Sequence, residues 1–487
     1  MPLSGAIERH AATIPQNPAF HLEGRVLSYR ALAATARQVF SAFAALAPEG
    51  RSVIGPAHRL AVILTGNHAL FPAAFAAATA GGNCAALIDP HLPEAVRQRM
   101  IDALRPDLLV TAESDGLGIR ASQADSAVTI AGTDALDHPP LPEGGDDAPF
   151  LIVFTSGTTA DPKPIIRDRR SWRTSLATGA PFFGIDAGAT YAPGPLAHGL
   201  ALYAMTETLA AGGAFHSARS FDAARGLTTI RQQGIRRLVL VPTLLRRLCC
   251  GAPAEGVAAI TVAGAKLTAA DHALCARHFP AAALREYYGA SELGFITVTT
   301  PGDAASSTAV GKVFPGVCLS ILDSDCKALP AGETGTIFVE SPLVATGYLS
   351  AGDEAGLTRL GARATVGDLG FLDADGTLHL LGRAGGMVLS GGNNIYPSEV
   401  ESALTNLAGI RAAHVFGVED ADLGTALVAV IEPETALTAD GLKAAMAAVL
   451  PRYKQPRRVW LCRAMPVTPS GKVEARTVRQ WAMEENN

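Results

Sequence analysis

Small hydroxyl-bearing and glycine residues lie between an apolar run and a lysine in Leu151-Ile-Val-Phe-Thr-Ser-Gly-Thr-Thr-Ala-Asp-Pro-Lys163. The apolar run predicts a buried strand that ends where the small residues begin. Gly157 allows backbone N–H groups to converge on an anion, and Lys163 adds a positive charge. The hydroxyl donors are Thr155, Ser156, Thr158 and Thr159. This pattern is typical of a phosphate-binding loop, although not of a Walker loop, because the spacing of that motif is absent. It is equally typical of a polar turn after a strand, since such turns are often rich in Ser, Thr and Gly.

A second tract combines aromatic, glycine, hydroxyl and carboxylate residues within Glu286-Tyr-Tyr-Gly-Ala-Ser-Glu292. Tyr288 can stack on a base, Ser291 can bind a phosphate, and Glu292 can hold Mg²⁺, a cation that prefers carboxylate oxygen. A hydrolase nucleophile at Ser291 is disfavoured, because the GxSxG turn needs glycine where Leu293 stands. An ordinary loop between strands remains the alternative.

Four further residues gain interest from their company along the chain. Asp368 and Arg383 can hold the hydroxyls of a ribose, since a carboxylate accepts hydrogen bonds and a guanidinium donates them. His198 and Lys472 each follow a turn rich in proline and glycine. Taken alone, a histidine or a lysine in such a turn is more often structural or solvated than catalytic.

The elements that must position these tracts follow from hydrophobic periodicity. Apolar residues recur with helical spacing over residues 29–47 and 93–104, and short apolar runs at 60–64 and 108–111 predict buried strands. This alternation predicts α/β layers with largely parallel sheets. The apolar stretch 69–88 predicts a buried helix followed by a strand. A membrane-spanning helix is disfavoured, because proline, glycine and asparagine interrupt the stretch.

The last part of the chain has a different pattern. Strand and turn residues dominate 295–382, and a glycine-rich break follows Arg383. The residues beyond the break predict a small separate α+β domain. Its expected elements are helices at 398–407 and 439–450 and strands at 413–418 and 426–431.

Composition limits the class of protein. The 487 residues are 48% hydrophobic and 17% charged, which predicts a globular chain and excludes a disordered one. Lys and Arg number 40 against 45 Asp and Glu, a net charge of −5, so no general attraction to nucleic acid or anionic lipid is expected. Seven cysteines without CxxC spacing, and an N-terminus without an apolar signal segment, predict reduced thiols in a cytoplasmic protein. The pattern does not indicate an oligomeric state.

Taken in order, these tracts resemble the motifs of the adenylate-forming superfamily, which includes acyl- and aryl-CoA synthetases, firefly luciferase and peptide-synthetase adenylation domains. The resemblance covers essentially the whole chain. The family's TSGTTGxPKG, YGxTE and TGDLG…GR motifs are similar to the tracts that end at Lys163, Glu292 and Arg383. Its GGxNIxPxEVE and PxTxxGK motifs resemble Gly391-Gly-Asn-Asn-Ile-Tyr-Pro-Ser-Glu-Val-Glu401 and Pro466-Val-Thr-Pro-Ser-Gly-Lys472.

The resemblance implies a fold and a reaction. The fold is α/β, with a large N-terminal domain at residues 1–383 made of layered α/β subdomains and a small β-barrel-like region. A small mobile α+β domain at 384–487 follows a hinge near Gly385. In the reaction, a carboxylate attacks the α-phosphate of ATP and gives acyl-adenylate and pyrophosphate. After the small domain rotates, a thiol, usually that of coenzyme A, attacks the adenylate and releases AMP.

The resemblance also implies a role for each site residue. Lys472 stabilises charge between the carboxylate and the α-phosphate, Glu292 binds Mg²⁺, and His198 borders the acid pocket as a third catalytic residue. Asp368 and Arg383 hold the ribose. The other binding residues are Thr155, Ser156, Gly157, Thr158, Thr159 and Lys163 at the phosphates, Gly264, Ala265, Tyr288, Gly289 and Ser291 around the nucleotide, and Gly391 and Gly392 at coenzyme A.

The substrates are defined less narrowly. The Gly391–Gly392 loop resembles that of CoA ligases and the sequence shows no fused carrier domain, so coenzyme A is favoured over an acyl or peptidyl carrier protein as acceptor. Ala197 stands where an aromatic residue is common, which leaves room for a long acid, and few basic groups flank the tracts, which disfavours a dicarboxylate. A medium- or long-chain fatty acid is therefore expected, with an aryl acid as the alternative.

Some positions depart from the family's pattern. Ala160 and Pro164 replace glycines and should stiffen the phosphate loop, whereas Gly385 replaces a charged hinge residue. Ser291 replaces threonine but keeps the hydroxyl, so all the chemically necessary groups remain. Two other functions stay open: an adenylating enzyme that loads a carrier protein, and a non-catalytic member that binds an acyl-adenylate.

Overall fold

The computed structural model describes residues 3–484 apart from 48, 51, 123–125, 156–161, 302, 304–307, 350–355, 384–385, 387, 391–392, 421–422 and 469–470. The helices in the described part are α1 (Ser4–Thr13), α2 (Tyr29–Leu46), α3 (Phe71–Ala78), α4 (Glu94–Leu104), α5 (Arg169–Phe183), α6 (Gly199–Ala210), α7 (Ala223–Gln232), α8 (Pro242–Leu248), α9 (Ala269–His278), α10 (Pro397–Thr405), α11 (Ala439–Val449) and α12 (Ala475–Glu484).

The strands of the described residues, in chain order, are β1 (Pro18–Leu22), β2 (Arg25–Ser28), β3 (Arg59–Ile63), β4 (Asn83–Leu87), β5 (Leu108–Ala112), β6 (Gly116–Ala121), β7 (Ala127–Ala131), β8 (Pro149–Thr155), β9 (Lys163–Asp168), β10 (Ala189–Tyr191), β11 (Ala214–Ser217), β12 (Arg237–Leu240), β13 (Ala259–Val262), β14 (Ala283–Ala290), β15 (Gly294–Val298), β16 (Ala309–Val313), β17 (Cys318–Leu322), β18 (Gly335–Glu340), β19 (Gly347–Tyr348), β20 (Thr358–Leu360), β21 (Arg363–Thr365), β22 (Asp368–Leu372), β23 (Thr377–Arg383), β24 (Val388–Ser390), β25 (Asn393–Ile395), β26 (Ile410–Asp420), β27 (Gly424–Pro433) and β28 (Arg458–Leu461).

An eight-stranded sheet forms one layer of the large domain, with the strand order β19-β9-β8-β4-β3-β5-β6-β7. Its central strands β8, β4, β3 and β5 run parallel. The apolar stretch 69–88 folds as predicted, because α3 and β4 are buried along their whole length. A strand that is covered on both faces has a continuous apolar sequence, because neither face needs the polar residues that alternate in a half-exposed strand.

A second sheet passes from parallel to antiparallel pairing. Its order is β2-β1-β11-β10-β12-β13-β14-β15-β16-β23-β22-β18-β21-β20, with β17 beside β18. Strands β1, β11, β10, β12, β13 and β14 are parallel, and the neighbours from β14 to β23 are antiparallel. The antiparallel part corresponds to the predicted β-barrel-like region, and the predicted α/β layering is confirmed.

The small C-terminal domain has its own sheet and apolar core. Strands β26 and β27 pair antiparallel, and β28 joins β27 in parallel. Val400, Ile431 and Met446 pack in one cluster between this sheet and helices α10 and α11, while Phe416 and Val478 pack with α12. The two predicted helices and two predicted strands are present, but β28 and α12 were missed, because β28 has only four residues and polar and charged residues interrupt the apolar pattern of α12. The predicted hinge at Gly385 lies outside the described residues, so the boundary at 383 stays a prediction.

The predicted site residues collect where parallel strands end. Thr155 ends β8, Gly264 follows β13, and Tyr288 lies near the end of β14. Ligands of α/β sheets bind in the crevice outside the carboxyl ends of the strands, so the topology predicts a binding cleft here. No helix in the described part of the chain is long and apolar enough to cross a membrane.

Candidate active site

Asp368 is the centre of a hydrogen-bonded group at one end of the cleft. The hairpin register pairs Asp368 directly with Arg383 across β22 and β23, and the Nε of Arg383 donates to Oδ1 of Asp368 at 3.0 Å. The hydroxyl of Tyr288 donates to the other oxygen, Oδ2. Burial and the charge of Asp368 raise the pKa of Tyr288 well above its usual value, so its hydroxyl stays a donor. The structure thus brings together three residues that the sequence assigned to nucleotide binding.

Glu292 is a buried carboxylate on the turn between β14 and β15. Its Oε1 accepts from the hydroxyl of Tyr348 at 2.6 Å, and its backbone carbonyl accepts from the N–H of Ala345 at 2.7 Å. Gly289, near the end of β14, has no room for a side chain, because a Cβ there would lie 2.4 Å from the carbonyl oxygen of Gly294. The turn therefore holds Glu292 in a fixed place at the edge of the cleft.

Arg167 anchors this turn and was missed by the sequence reasoning. It lies on β9, which begins at Lys163, and it is 5% exposed. Its Nη1 donates to the carbonyl of Ser291 at 2.6 Å and its Nη2 donates to the carbonyl of Leu343. Burial lowers the pKa of Arg167 to about 10, which still leaves it charged at neutral pH. Arg167 lies two residues from the buried Ile165 on the same strand, and this spacing could have indicated that the arginine faces inward.

Lys472 reaches the cleft from the small domain. It follows a tight turn in which the N–H of Thr468 donates to the carbonyl of Lys472 at 2.7 Å. The turn contacts the large domain, because the hydroxyl of Thr243 donates to the carbonyl of Gly471 at 3.2 Å. A Cβ added to Gly264 would lie 3.5 Å from Cε of Lys472, so the lysine stem passes beside that glycine.

The charges around Lys472 set its acidity. Lys472 remains exposed to solvent. The surrounding walls of the cleft nevertheless desolvate its ammonium group in part, and this lowers the pKa of Lys472. The positive charge of Arg383 lowers the pKa further, and the negative charge of Glu292 opposes both effects. The lysine that the sequence assigned to catalysis therefore shares one electrostatic environment with the arginine and glutamate of the large domain.

Gly471→Ala should slow adenylation about tenfold, since small displacements of a catalytic group are costly. Gly471 has φ +81°, and a Cβ there would lie 2.6 Å from Oγ1 of Thr243 and 2.7 Å from Cγ2 of Val241. The matched control is Gly332→Ala, where φ is +86° but no atom lies within 4 Å of the added Cβ. If acid-dependent pyrophosphate release fell equally in both variants, strain in the backbone would explain the loss. The contact of Gly471 with Val241 and Thr243 would then not be responsible.

His198 has a partner that the sequence did not reveal. His198 directly precedes α6, and its Nε2 lies 3.2 Å from Oδ2 of Asp89, just beyond β4. Burial would raise the pKa of Asp89, but hydrogen bonds from His198 and His91 lower it to about 2. The carboxylate therefore stays ionised at working pH, and its stabilising effect is lost only as pH falls below about 4 toward 2. An aspartate directly after a fully buried strand is the signal that could have indicated it.

Asp89→Asn should lower kcat/KM for the acid about tenfold, because the neutral amide holds the His198 ring less firmly in one orientation. The control is His91→Ala, which removes an exposed ring that also contacts Asp89 but not His198. Both values come from initial rates of pyrophosphate release at varied acid. A variant with an unchanged KM and kcat would contradict a positioning role for Asp89.

Several predicted residues are located only in part. The backbone of Thr155 pairs in register with Lys163, so the phosphate tract connects β8 to β9. Ser156, Gly157, Thr158, Thr159 and Ala160 lie outside the described residues, as do Gly385, Gly391 and Gly392. Ala265 lies exposed beside Gly264 at the end of β13. Their predicted roles are neither supported nor contradicted by geometry.

The chemistry of Glu292 suits a particular kind of metal site. Among the residues that the structure describes, no group of three or more His, Cys, Asp or Glu side chains can enclose a metal ion. Mg²⁺ in nucleotide enzymes is usually held by one or two carboxylates together with substrate phosphates and water. A single buried carboxylate at the cleft edge fits an ion that arrives with a nucleotide.

Known proteins are similar to this chain over most of its length. The model of the AMP-binding enzyme family matches residues 7–349, and that of the AMP-binding enzyme C-terminal domain matches 399–472. An acyl-CoA ligase of Bacillus subtilis, described as uncharacterised, is 32% identical over 438 residues, 88% of each chain. A putative long-chain fatty acid–CoA ligase of Staphylococcus haemolyticus is 30% identical over 335 residues, 68% of this chain and 70% of the relative. The structure of o-succinylbenzoate–CoA synthetase from Bacillus subtilis in complex with AMP has a TM-score of 0.81 at 22% identity, covering 97% of this chain and 98% of that one.

The chain therefore belongs to the AMP-binding enzyme family, the class of adenylate-forming enzymes with a large N-terminal and a small C-terminal domain. Within that class it is an AMP-forming CoA ligase, an enzyme type that uses ATP and coenzyme A. The predicted family, fold class and enzyme type are confirmed.

Proposed function

We propose that this ligase adenylates a hydrophobic carboxylic acid, either a medium- or long-chain fatty acid or an aryl acid, and transfers it to coenzyme A. The observation that carries the proposal is the convergence of Lys472, from the small domain, with Arg383 and Glu292 of the large domain. Adenylation brings an anionic carboxylate toward the polyphosphate of ATP. It therefore needs positive charge aimed at the point where negative charge develops.

Each residue of the cleft has a place in this first step. Lys472 donates to the oxygens between the attacking carboxylate and the α-phosphate, and Asp368 and Arg383 bind the ribose hydroxyls. Tyr288, Gly264 and Ala265 frame the adenine, and Gly289 and Ser291 lie elsewhere along the nucleotide. Residues Thr155, Ser156, Gly157, Thr158, Thr159 and Lys163 hold the β- and γ-phosphates. Glu292 would hold Mg²⁺, which would supply positive charge beside the phosphates.

The second step requires the small domain to leave this arrangement. Lys472 and Gly471 must withdraw from Val241, Thr243 and Gly264 before another face of the small domain can approach the adenylate. Rotation about Gly385 brings Gly391 and Gly392 to the pantetheine thiol, since glycine absorbs large backbone changes at low steric cost. The thiol attacks the acyl carbon, and AMP leaves with the electron pair of the broken anhydride bond.

The nature of the acid is supported by two observations. The Staphylococcus haemolyticus relative is described as a putative long-chain fatty acid–CoA ligase. Ala197, next to His198, is a small residue that leaves room for a long or bulky acid.

The test is a panel of fatty and aryl acids incubated with ATP and Mg²⁺, with and without coenzyme A, and analysed by mass spectrometry. Acyl-AMP without coenzyme A and acyl-CoA with it would support the proposal. Acyl-AMP that never yields acyl-CoA would favour a carrier protein as acceptor. Absence of both products with every acid, in a protein that still binds ATP, would contradict catalysis and favour a non-catalytic adenylate-binding role.

A further inference from the structure

The loop between β3 and α3 lies against the segment that leads to His198. In this loop, the side-chain amide of Asn67 pairs with the backbone of that segment. Its Oδ1 accepts from the N–H of Leu196 at 2.7 Å, and its Nδ2 donates to the carbonyl of Gly194 at 3.1 Å. One side chain thus binds a donor and an acceptor that lie two and four residues before His198.

The same amide also contacts the end of β11. Its Nδ2 donates to the carbonyl of Ala218 at 2.7 Å and lies 3.3 Å from Oγ of Ser217. Strands β10 and β11 are parallel neighbours in the second sheet, and their carboxyl ends lead to Gly194 and Ala218. Asn67 follows β3 of the eight-stranded sheet, so its side chain joins the strand ends of the two sheets.

The pair of His198 and Asp89 crosses the same gap between the sheets. Asp89 follows β4, the parallel neighbour of β3, whereas His198 follows β10 of the second sheet. The loop of Asn67 also packs on this side, because a Cβ added to Gly66 would lie 3.0 Å from Cγ of Pro90. One loop therefore contacts both the segment before His198 and the segment after Asp89.

The exposure of these groups separates a support from an accessible ring. The side chain of His198 is 39% exposed, whereas that of Asp89 is 5% exposed. Leu196, whose N–H donates to Asn67, is fully buried. Removing the Asn67 amide would leave this buried N–H without its acceptor, which is costly. An accessible side chain on a buried, hydrogen-bonded support is what a precisely held functional group requires.

We infer that Asn67 is a positioning residue for the acid site, which holds the segment 194–196 between the two sheets and thereby fixes the His198 ring beside the acid. The inference rests on the proposed function, in which His198 borders the acid. Asn67 acts through His198. Because a misplacement of about 1 Å can cost about 100-fold in rate, even partial loosening of this segment should be measurable.

The experiment measures pyrophosphate release with decanoate and with cinnamate in the wild type and in Asn67→Ala. We expect kcat/KM for the acid to fall about tenfold while KM for ATP changes less than about twofold, because only the support of the acid site is displaced. The matched control is Asn83→Ala. Asn83 is also buried, and it donates to the carbonyl of Ala77 at 3.0 Å from the end of β4 opposite Asp89. Its loss should lower the melting temperature but leave both KM values unchanged.

A double-variant cycle with His198→Ala tests whether Asn67 acts through the histidine. In the His198→Ala background, Asn67→Ala should cause little further loss, because the effects of residues that act together are not additive. A merely structural role would instead give the same loss in both backgrounds, and that result would overturn the inference. If Asn67→Ala does not fold, Asn67→Asp takes its place, since it keeps the acceptor for Leu196 but turns a second oxygen toward two carbonyls.

Failure of the inference and failure of the proposed function give different results. An active wild type whose kcat/KM for the acid is matched by Asn67→Ala would overturn the inference alone. A wild type that releases no pyrophosphate with decanoate, cinnamate or any other acid of the panel would contradict the proposed function, and the inference with it.

Discussion

Lys472→Ala should slow acid-dependent pyrophosphate release by about 100- to 1,000-fold, the usual cost of removing a donor aimed at developing charge. The hydroxyl of Thr243 donates to the carbonyl of Gly471 at 3.2 Å, and this contact holds the turn that carries Lys472 at the cleft, as the proposed role in adenylation requires. The loss should appear in kcat more than in KM for ATP, because the lysine acts on charge that exists mainly in the transition state.

A matched control separates this effect from loss of a surface charge. Lys443 lies exposed on α11 of the same domain, and Lys443→Ala should leave the rate of pyrophosphate release unchanged. Transfer to coenzyme A from a supplied acyl-adenylate should also survive Lys472→Ala, since in the proposed mechanism that step uses another face of the small domain. Unchanged adenylation in Lys472→Ala would remove the lysine from the mechanism.

The same lysine predicts a dependence on pH. Partial desolvation and Arg383 lower the pKa of Lys472, so the free enzyme loses this proton at a lower pH than an ordinary lysine does. If Lys472 supplies positive charge to adenylation, as proposed, its protonated form is the active one, and kcat/KM for ATP should fall as pH rises through that lowered pKa. A profile that stays flat up to the pH where an unperturbed lysine titrates would contradict this assignment.

Asp368→Ala should raise KM for ATP about 100-fold, because hydrogen bonds from ligand hydroxyls to an ionised group are among the stronger ones. The substitution also removes the acceptor of the Arg383 Nε and the Tyr288 hydroxyl, both of which are oriented by this carboxylate. The effect on kcat at saturating ATP should be smaller, since ribose binding contributes similarly to the ground state and the transition state.

The control for Asp368 lies on the same hairpin. Asp375 is exposed in the turn between β22 and β23, and Asp375→Ala should leave KM for ATP unchanged. Circular dichroism of both variants checks that the hairpin still forms. If Asp368→Ala folds and its KM for ATP equals that of the wild type, Asp368 does not bind the ribose.

Much of the fold was predictable because its signals are local. The helices at 29–47 and 93–104 occur at Tyr29–Leu46 and Glu94–Leu104, and the apolar run at 60–64 forms Arg59–Ile63. Buried faces impose a period on the sequence, so such segments are recognisable without tertiary information. Strand β28 and helix α12 were not predicted, because the hydrophobic periodicity of a four-residue segment or of a charge-rich helix is too weak to recognise.

The site was predictable in part for a related reason. Asp368 and Arg383 are fifteen residues apart but directly opposite in one hairpin, so a local pairing unites them. Asp89 and His198, and Glu207 and Arg237, come from separate elements that only packing brings together. A single aspartate or arginine in a buried strand does not indicate which residue it will pair with, because that depends on how the helices pack on the sheet.

The sequence by itself determined the enzyme family, the α/β architecture and the residues that bear charge, since ordered motifs and hydrophobic periods are properties of the chain. The tertiary structure decided that Lys472 lies beside Gly264, that Arg167 holds the turn of Glu292, and that Asp89 pairs with His198. These contacts depend on the distances between elements remote along the chain, and those distances are fixed only when the sheets and helices pack.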